Sequence, residues 1–477
     1  MNTHLMRVFY LFTAGFVALV GVMAYWQVYA REARDNNPNN SLQSRREIES
    51  PRGLIPAGDG ETVLARSDKK DAGSGATYDR VYPQGDLYAS VVGYWSVKYG
   101  ATGVEIGENS NLSGNAEPAT LDELVNQISG GPQPGNNIEL TLDPELQRTA
   151  YQGLAASNTG QGSAVALDPK TGDVLAMVSY PSYDPNNIDQ RFPELQQDPN
   201  NPLLNRATQG LYAPGSIFKV ITAAAALKKG VKPTDPYFDS GKYETPGYTV
   251  VNYGNYSYGQ VTFAKALALS INVIFAKIAV EKVGAQALYD MAQKFGFGDT
   301  YEEFPLQVNA STLGVGVSGL IGGALAQTSF GQDKVSSNVF EMANVAAAIG
   351  NRGTMMQPRI VKEIRSPDGI ILDKPTPRSR EQVIDPKTAQ TLQKMMVGVV
   401  DEGSATGAKI PGIEVAGKTG TAEVPPKDPN SWFIASAPAS DPKIAVAVLV
   451  ENGGDGEKQA LPIARQMIVS YLKSHGG

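Results

Sequence analysis

Ser216 and Lys219 stand three residues apart in Tyr212-Ala213-Pro214-Gly215-Ser216-Ile217-Phe218-Lys219, and an Ala-rich run to Ala226 follows. That spacing stacks two side chains on one helical face, so an amine on Lys219 can reach the hydroxyl it would have to deprotonate. Pro214 and Gly215 end the preceding segment and put Ser216 at a helix start, where backbone N–H groups stand without partners. The chemistry that suits the pair is acyl transfer through a serine nucleophile. Composition narrows it further: the two histidines are His4 and His475, at the extreme ends, and there is no cysteine in 477 residues. A Ser-His-Asp triad, a cysteine nucleophile and a His/Cys metal site are excluded. A serine nucleophile must then find its base among Lys, Asp, Glu or Tyr, which points to Lys219. The tetrapeptide alone does not single out the site, because Ser-x-x-Lys also runs from Ser67 to Lys70, Ser440 to Lys443 and Ser470 to Lys473.

Two further short motifs follow in order. Ser270-Ile271-Asn272 lies in Val261–Val283, where Phe263, Leu267, Ile271, Ile274, Phe275 and Ile278 recur at helical spacing; this predicts a continuous helix with Ser270 and Asn272 embedded in it. Lys418-Thr419-Gly420 lies in Glu414–Glu423, which reads as a strand beside Trp432–Ser436. Singly, each has a plain structural reading: Ser216 as a helix cap, Ser270 and Asn272 as satisfied core polars, Lys418 as a strand-end charge. Ser-x-Asn also occurs at Ser113 and Ser336, and Lys170-Thr171-Gly172 is explained by a hairpin turn. Order and setting carry the weight: a nucleophile at a helix start, Ser-x-Asn on an apolar helix, and Lys-Thr-Gly on a strand near the C-terminus.

The elements that must position these motifs begin at Asn137. Ile138–Leu142 alternates as a strand, and Asp143-Pro144-Glu145 opens an amphipathic helix to about Ala156. Ser163–Leu167 and Asp173–Ser179 form a hairpin across Asp168–Gly172, and Tyr183–Asn187 is a loop leading through a polar stretch to the Ser216 helix. Gly314–Gly323 lacks the Gly-Lys-Ser/Thr ending of a phosphate loop and reads as a flexible loop. Val335–Gly350 and Pro386–Val400 read as amphipathic helices, Lys443–Glu451 as a buried strand and Ala460–Leu472 as a closing helix.

Upstream, Val8–Ala30 carries no charge and ends in Tyr25, Trp26 and Tyr29, long and apolar enough to cross a bilayer. It exceeds the roughly 7–15 apolar residues of a signal peptide, so it reads as an uncleaved anchor. Arg7 on one side and Arg31, Arg34, Arg45 and Arg46 on the other leave its orientation open. Arg31–Glu49 reads as a polar linker, and Ser50 to about Asn136 as a small β-rich module, with strands and turns at Tyr82-Pro83, Ala89–Trp95 and Gly100–Glu105. The division is therefore 1–30, N-terminal tip (cytoplasmic if the remainder lies outside) and transmembrane helix; 31–136, linker and non-catalytic module; 137–477, catalytic domain. A net charge of -7 and the lack of a basic, aromatic-interleaved stripe give no reason to expect nucleic acid.

With all three motifs in place, the chain resembles a class B penicillin-binding protein. The likeness extends to Tyr82–Tyr94, Asn201–Thr208 and Gly417–Glu423 and covers nearly the whole chain. Arg52–Ile55 and Val446–Asn452 look most like the A-type branch of actinobacteria, associated there with cell division. The resemblance implies an α+β, penicillin-binding/β-lactamase-like transpeptidase fold: an antiparallel sheet flanked by helices, a helical subdomain, the small N-terminal module and the N-terminal transmembrane helix. It implies a membrane-anchored DD-transpeptidase, its catalytic domain outside the cytoplasm, that cross-links peptidoglycan stem peptides and is acylated by β-lactams, with divisome proteins as partners. Carried onto this sequence, Ser216 is the nucleophile, Lys219 its base, Ser270 a proton relay and Lys418 a source of positive field. Asn272 holds the peptide backbone, Thr419 and Thr421 bind the terminal carboxylate on the strand that includes Gly420, and the N–H groups of Ser216 and Thr421 form the oxyanion hole. Neither metal nor cofactor is needed. A DD-carboxypeptidase or β-lactamase-type hydrolase, and a non-catalytic β-lactam sensor or divisome scaffold, stand as alternatives.

Overall fold

The computed structural model describes residues 3–25, 48–72, 75–114 and 133–476. Five strands, β1 (Gly162–Leu167), β2 (Val174–Tyr180), β3 (Ala416–Val424), β4 (Lys427–Ala437) and β5 (Ile444–Val450), form one antiparallel sheet in the order β3-β4-β5-β1-β2. The inner strands β5 and β1 are buried at every position, which is why both are unbroken apolar runs without alternation. The motif strand β3 is at the edge, with Lys418 opposite Ile434 and Gly420 opposite Trp432 on β4.

Six helices matter to the site: α1 (Pro144–Ala155), α2 (Lys219–Lys228), α3 (Asn272–Ile278), α4 (Val339–Gly350), α5 (Pro386–Glu402) and α6 (Ala460–Ser474). Asp143 and Asp385 cap α1 and α5 by accepting backbone N–H bonds, each with proline in the first turn. α1 and α6 pack together on one face of the sheet, and α4 packs on β1, β4 and β5 from the other. The alanines of α2 let it approach α5 and the helix Ala285–Lys294 closely.

Four expectations need correction. Val335–Gly350 is not amphipathic: α4 starts at Val339 and all of its residues are buried between the sheet and α5. Its polar members bond inward, Asn344 to the Phe340 carbonyl and Glu341 to the Tyr301 hydroxyl. Val261–Val283 is not a continuous helix but a strand Gly259–Thr262, a helix Phe263–Ala268, a break at Leu269–Ile271, α3 and a wider turn. The polar stretch after Asn187 contains the helix Ile188–Gln197. In the N-terminal module, Ala89–Val92 and Gly103–Gly107 are helical, Trp95–Ser96 and Gly100–Ala101 do pair as two short strands, and a three-stranded sheet is formed by Ile55–Pro56, Val63–Ala72 and Gly75–Val81. Apolar runs of four or five residues are too short to show a period, so there burial decides the conformation.

That module is closed by charge. Glu105 is wholly buried and receives Arg52 Nε at 3.0 Å and Arg80 Nε at 2.6 Å. Burial works to raise its carboxyl, but the two guanidiniums outweigh it and hold the group below its ordinary value. The chain enters and leaves the module side by side: Gly135 N–H donates to the Pro51 carbonyl at 2.9 Å and Ile138 N–H to the Leu54 carbonyl at 2.8 Å. The exit strand Asn137–Leu140 pairs with Val361–Arg365. At the N-terminus, Thr3–Ala24 is a helix whose Met6–Met23 stretch is long and apolar enough to span a membrane. Trp26, Tyr29 and most of the expected linker lie outside the described residues.

Candidate active site

The nucleophile turn is built by close approach. Gly215 opens the short 3-10 turn Gly215–Phe218 with φ +56°, and its N–H donates to the Gly331 carbonyl at 2.9 Å. A Cβ at Gly215 would stand 2.8 Å from the Thr421 carbonyl oxygen, so the turn lies directly against β3. Trp432 on β4 ties the same turn down, donating from Nε1 to the Ala213 carbonyl at 3.0 Å. Ser216 is half-buried in this turn, just ahead of α2, and Lys219, one turn on at the first position of α2, is wholly buried.

The break before α3 supplies the second motif. Ser270 has φ +58°, its N–H bonds to the Leu267 carbonyl at 3.1 Å, and the Ile271 N–H reaches back to Ala266 at 2.9 Å. This is a Schellman ending with serine where glycine is usual, at a cost of about 1–2 kcal/mol. Ending the helix there frees the Ser270 carbonyl from helical bonding, and it turns to Lys219.

The ammonium position of Lys219 has four oxygen neighbours: Asn272 Oδ1 at 2.6 Å, Ser270 O at 2.7 Å, Ser216 Oγ at 3.0 Å and Ser270 Oγ at 3.2 Å. The two nearest can only accept. A neutral amine gives its two hydrogens to them and keeps one lone pair, which can accept from the nearer hydroxyl, that of Ser216. Burial, and then the nearby Lys418, push Lys219 well below the usual lysine range, toward that neutral form. The rings of Phe275 and Phe330, 5.7 and 5.9 Å away, offer partial compensation when it is charged.

From β3, Lys418 Nζ donates to Ser270 Oγ at 2.9 Å and to the Thr419 carbonyl at 2.8 Å, and burial pushes it down to about 7. Ser216, Lys219, Ser270 and Lys418 thus form one hydrogen-bonded chain, with Asn272 attached through Lys219. Gly420 leaves room for the turn: a Cβ there would stand 3.0 Å from both Ile217 Cγ2 and the Pro214 carbonyl. Thr419 and Thr421 flank Gly420 on the strand, Thr419 buried and Thr421 half-buried. The Thr421 hydroxyl accepts from Gly456 N–H at 3.3 Å. The Thr419 hydroxyl shares a 2.8 Å bond with Ser404 Oγ. Ser404, in the turn after α5, escaped the sequence reading because no motif marks a lone serine; the small-residue run Gly403–Ala408 just before the motif strand was the available signal.

Residues 162–469 match the family model described as penicillin binding protein transpeptidase domain. The chain belongs to this family. Residues 52–138 match a second model, penicillin binding protein A dimerisation domain. Among relatives, the peptidoglycan D,D-transpeptidase PbpA of Mycolicibacterium smegmatis is 37% identical over 99% of both chains. PbpA of Mycobacterium tuberculosis is 35% identical, again over 99% of each. Among solved structures, the ceftriaxone acyl-enzyme complex of M. tuberculosis penicillin-binding protein A superposes with a TM-score of 0.82 at 34% identity, covering 90% of this chain and all of that one. These relatives place the present chain in the A-type branch of the class B penicillin-binding proteins, and the α+β transpeptidase fold with its small N-terminal module is the fold described above.

Proposed function

We propose that this protein is a serine-type peptidoglycan D,D-transpeptidase acylated by β-lactams. The observation that carries the reading is Lys219 Nζ, buried and 3.0 Å from Ser216 Oγ, with its hydrogens committed to a carbonyl and an amide oxygen. Lys219 takes the Ser216 hydroxyl proton as Oγ adds to the carbonyl carbon of the penultimate D-Ala. The N–H groups of Ser216 and Thr421 face the oxyanion that forms. The proton passes from Lys219 through the Ser270 hydroxyl to the leaving amine, the D-Ala–D-Ala amide breaks, and the acyl group stays on Ser216. An acceptor amine then adds to the ester, loses its proton back along the same chain, and Ser216 is released with a new amide in place of the old. Asn272 positions the stem peptide, while Lys418, Thr419 and Thr421 receive the terminal carboxylate beside Gly420.

Labelled penicillin followed by mass mapping tests this. One adduct on Ser216 is expected; label on Ser67, Ser440 or Ser470 would refute it. A long-lived penicilloyl ester is expected, because the residues after the active-site helix hold no clear counterpart of the glutamate that activates hydrolytic water in class A β-lactamases; fast nitrocefin turnover would favour the hydrolase reading.

The boundaries 1–30, 31–136 and 137–477 belong to the same proposal, with the first helix as a single-pass anchor and the catalytic domain facing the wall. Protease added to intact spheroplasts should digest the chain beyond about Arg31. A soluble product starting there would rule out the anchor. A role at division, with divisome partners, predicts that a fluorescent fusion collects at the septum; uniform distribution around the cell would argue against it.

A further inference from the structure

We infer that Asn252, braced by Asp239, is a positioning residue for the proposed Lys219 base, acting through the Ser270–Asn272 turn. α3 begins at Asn272 behind Ile271, whose side chain has no oxygen with which to cap a helix. The first-turn donors of a helix need an acceptor from somewhere. Here the acceptor comes from outside: Val273 N–H donates to Asn252 Oδ1 at 3.0 Å.

The same strut fixes the amide of Asn272. Its Nδ2 donates to the carbonyl of Val251, the residue before Asn252, at 3.1 Å, and this turns Oδ1 toward Lys219 Nζ at 2.6 Å. Without that carbonyl the amide could flip and present N–H groups to an amine, which cannot receive them while its lone pair serves Ser216.

Asn252 is held in turn. Both it and Asp239 are buried, and Asn252 Nδ2 donates to Asp239 Oδ2 at 2.8 Å and to the Tyr256 carbonyl at 2.9 Å. Asp239 also accepts from Tyr258 N–H at 2.8 Å and from Gly241 N–H at 3.0 Å, and its carbonyl accepts from Ser257 Oγ at 2.8 Å. A buried carboxylate saturated by neutral donors is a rigid fixture. Neither residue touches the nucleophile, so their effect reaches it only through α3.

This rests on the transpeptidase reading, and one experiment separates the two. The second-order rate constant of penicillin acylation is measured from pH 5 to 9 for wild type, Asn252→Ala, Asn252→Asp and Asp239→Ala, with melting temperature recorded for each. Removing the strut loosens the turn and admits water beside Lys219. Its one charged neighbour in the cluster, Lys418, is unchanged, so the acidic limb of the profile should move to higher pH and the neutral rate fall 10-fold or more. Asn252→Asp keeps an acceptor for Val273 N–H but sets a carboxylate against Asp239 and the Tyr256 carbonyl, and should behave similarly; Asp239→Ala removes the brace and should move the limb the same way by less. A merely structural role lowers the folded fraction and leaves the limb in place. Wild-type rate with an unmoved limb in folded Asn252→Ala overturns the inference. If Asn252→Ala does not fold, Asp239→Ala decides, and an unmoved limb there overturns the inference. Failure of the wild type itself to acylate on Ser216 would instead remove the transpeptidase reading.

Discussion

Lys219 and Lys418 converge on a single hydroxyl: their Nζ atoms stand 3.2 and 2.9 Å from Ser270 Oγ. Two ammonium groups so placed, both buried, repel each other at short range, and the cluster is most stable with one proton fewer. The site therefore holds one cation and one amine, joined by the hydroxyl that can move a proton between them.

The first consequence concerns Lys219 itself. Lys219→Ala should lower the penicillin acylation rate by about 100-fold or more, the usual range for loss of a general base. Lys219→Arg should fail nearly as badly, because guanidinium keeps its charge and cannot accept a proton. Acylation rates with melting temperature as the folding control decide this; a well-folded Lys219→Arg protein that acylates readily would sink the base assignment.

Lys418 should govern the alkaline side. Burial brings it down to about 7, so raising the pH through neutrality strips its proton and removes the positive field that meets the substrate carboxylate. The second-order acylation rate, which reports the free enzyme, should decline above about pH 7. In Lys418→Arg, if folded, that decline should disappear, since the charge cannot be lost. A wild-type rate that stays level to pH 9 would deny Lys418 this part.

Glu341 predicts a pH dependence of stability. It is fully buried on α4, its Oε1 accepts from Tyr301 while Oε2 has no partner, and burial raises its carboxyl from 4.5 to about 8. Between those values the unfolded chain loses a proton that the folded chain keeps. The contribution of Glu341 to stability is therefore fully present below 4.5 and is lost as pH rises toward 8, by on the order of 1 kcal/mol per unit. Glu341→Gln keeps the acceptor and cannot ionise. Its melting-temperature advantage over wild type should grow from pH 5 to 8; a constant difference would show that Glu341 does not titrate there.

Gly215→Ala tests the contact between turn and strand. A methyl 2.8 Å from the Thr421 carbonyl, on a residue with φ +56°, must push the nucleophile turn from β3, at roughly 1–3 kcal/mol. Acylation should fall about 10-fold with only a few degrees lost in melting temperature. Unchanged acylation would mean that the turn and β3 adjust independently.

The parts of this fold written in local pattern were legible. Asp143-Pro144 announced α1, the β1–β2 hairpin followed from its turn, and β5 from a long apolar run. The three motifs could be placed in order because each is a residue set with its own chemistry. What stayed hidden depends on contacts between distant segments. Periodicity carried Val261–Val283 through as one helix because the break at Ser270 is stabilised by Lys219, remote in sequence, and by a left-handed serine no pattern marks. α4 looked amphipathic because Glu341 and Asn344 are polar, yet both bond inward. Asn252 and Ser404 are single residues whose partners only the folded chain supplies.

The side-by-side entry and exit of the N-terminal module has a mechanical meaning. Traction on the chain ahead of Pro51 would arrive at Pro51–Leu54, where backbone bonds hand it across to Gly135–Ile138 and on, through Asn137–Leu140, to the partner strand Val361–Arg365. The load path is a few residues long, and the paired strands Val63–Ala72 and Gly75–Val81 are tied into it: Ser67 Oγ donates to the Arg52 carbonyl at 3.0 Å, Arg80 Nη1 to the Gly53 carbonyl at 2.7 Å, and Ile55 pairs with Ala65. A neighbour pressing on those strands would bear directly on the tether.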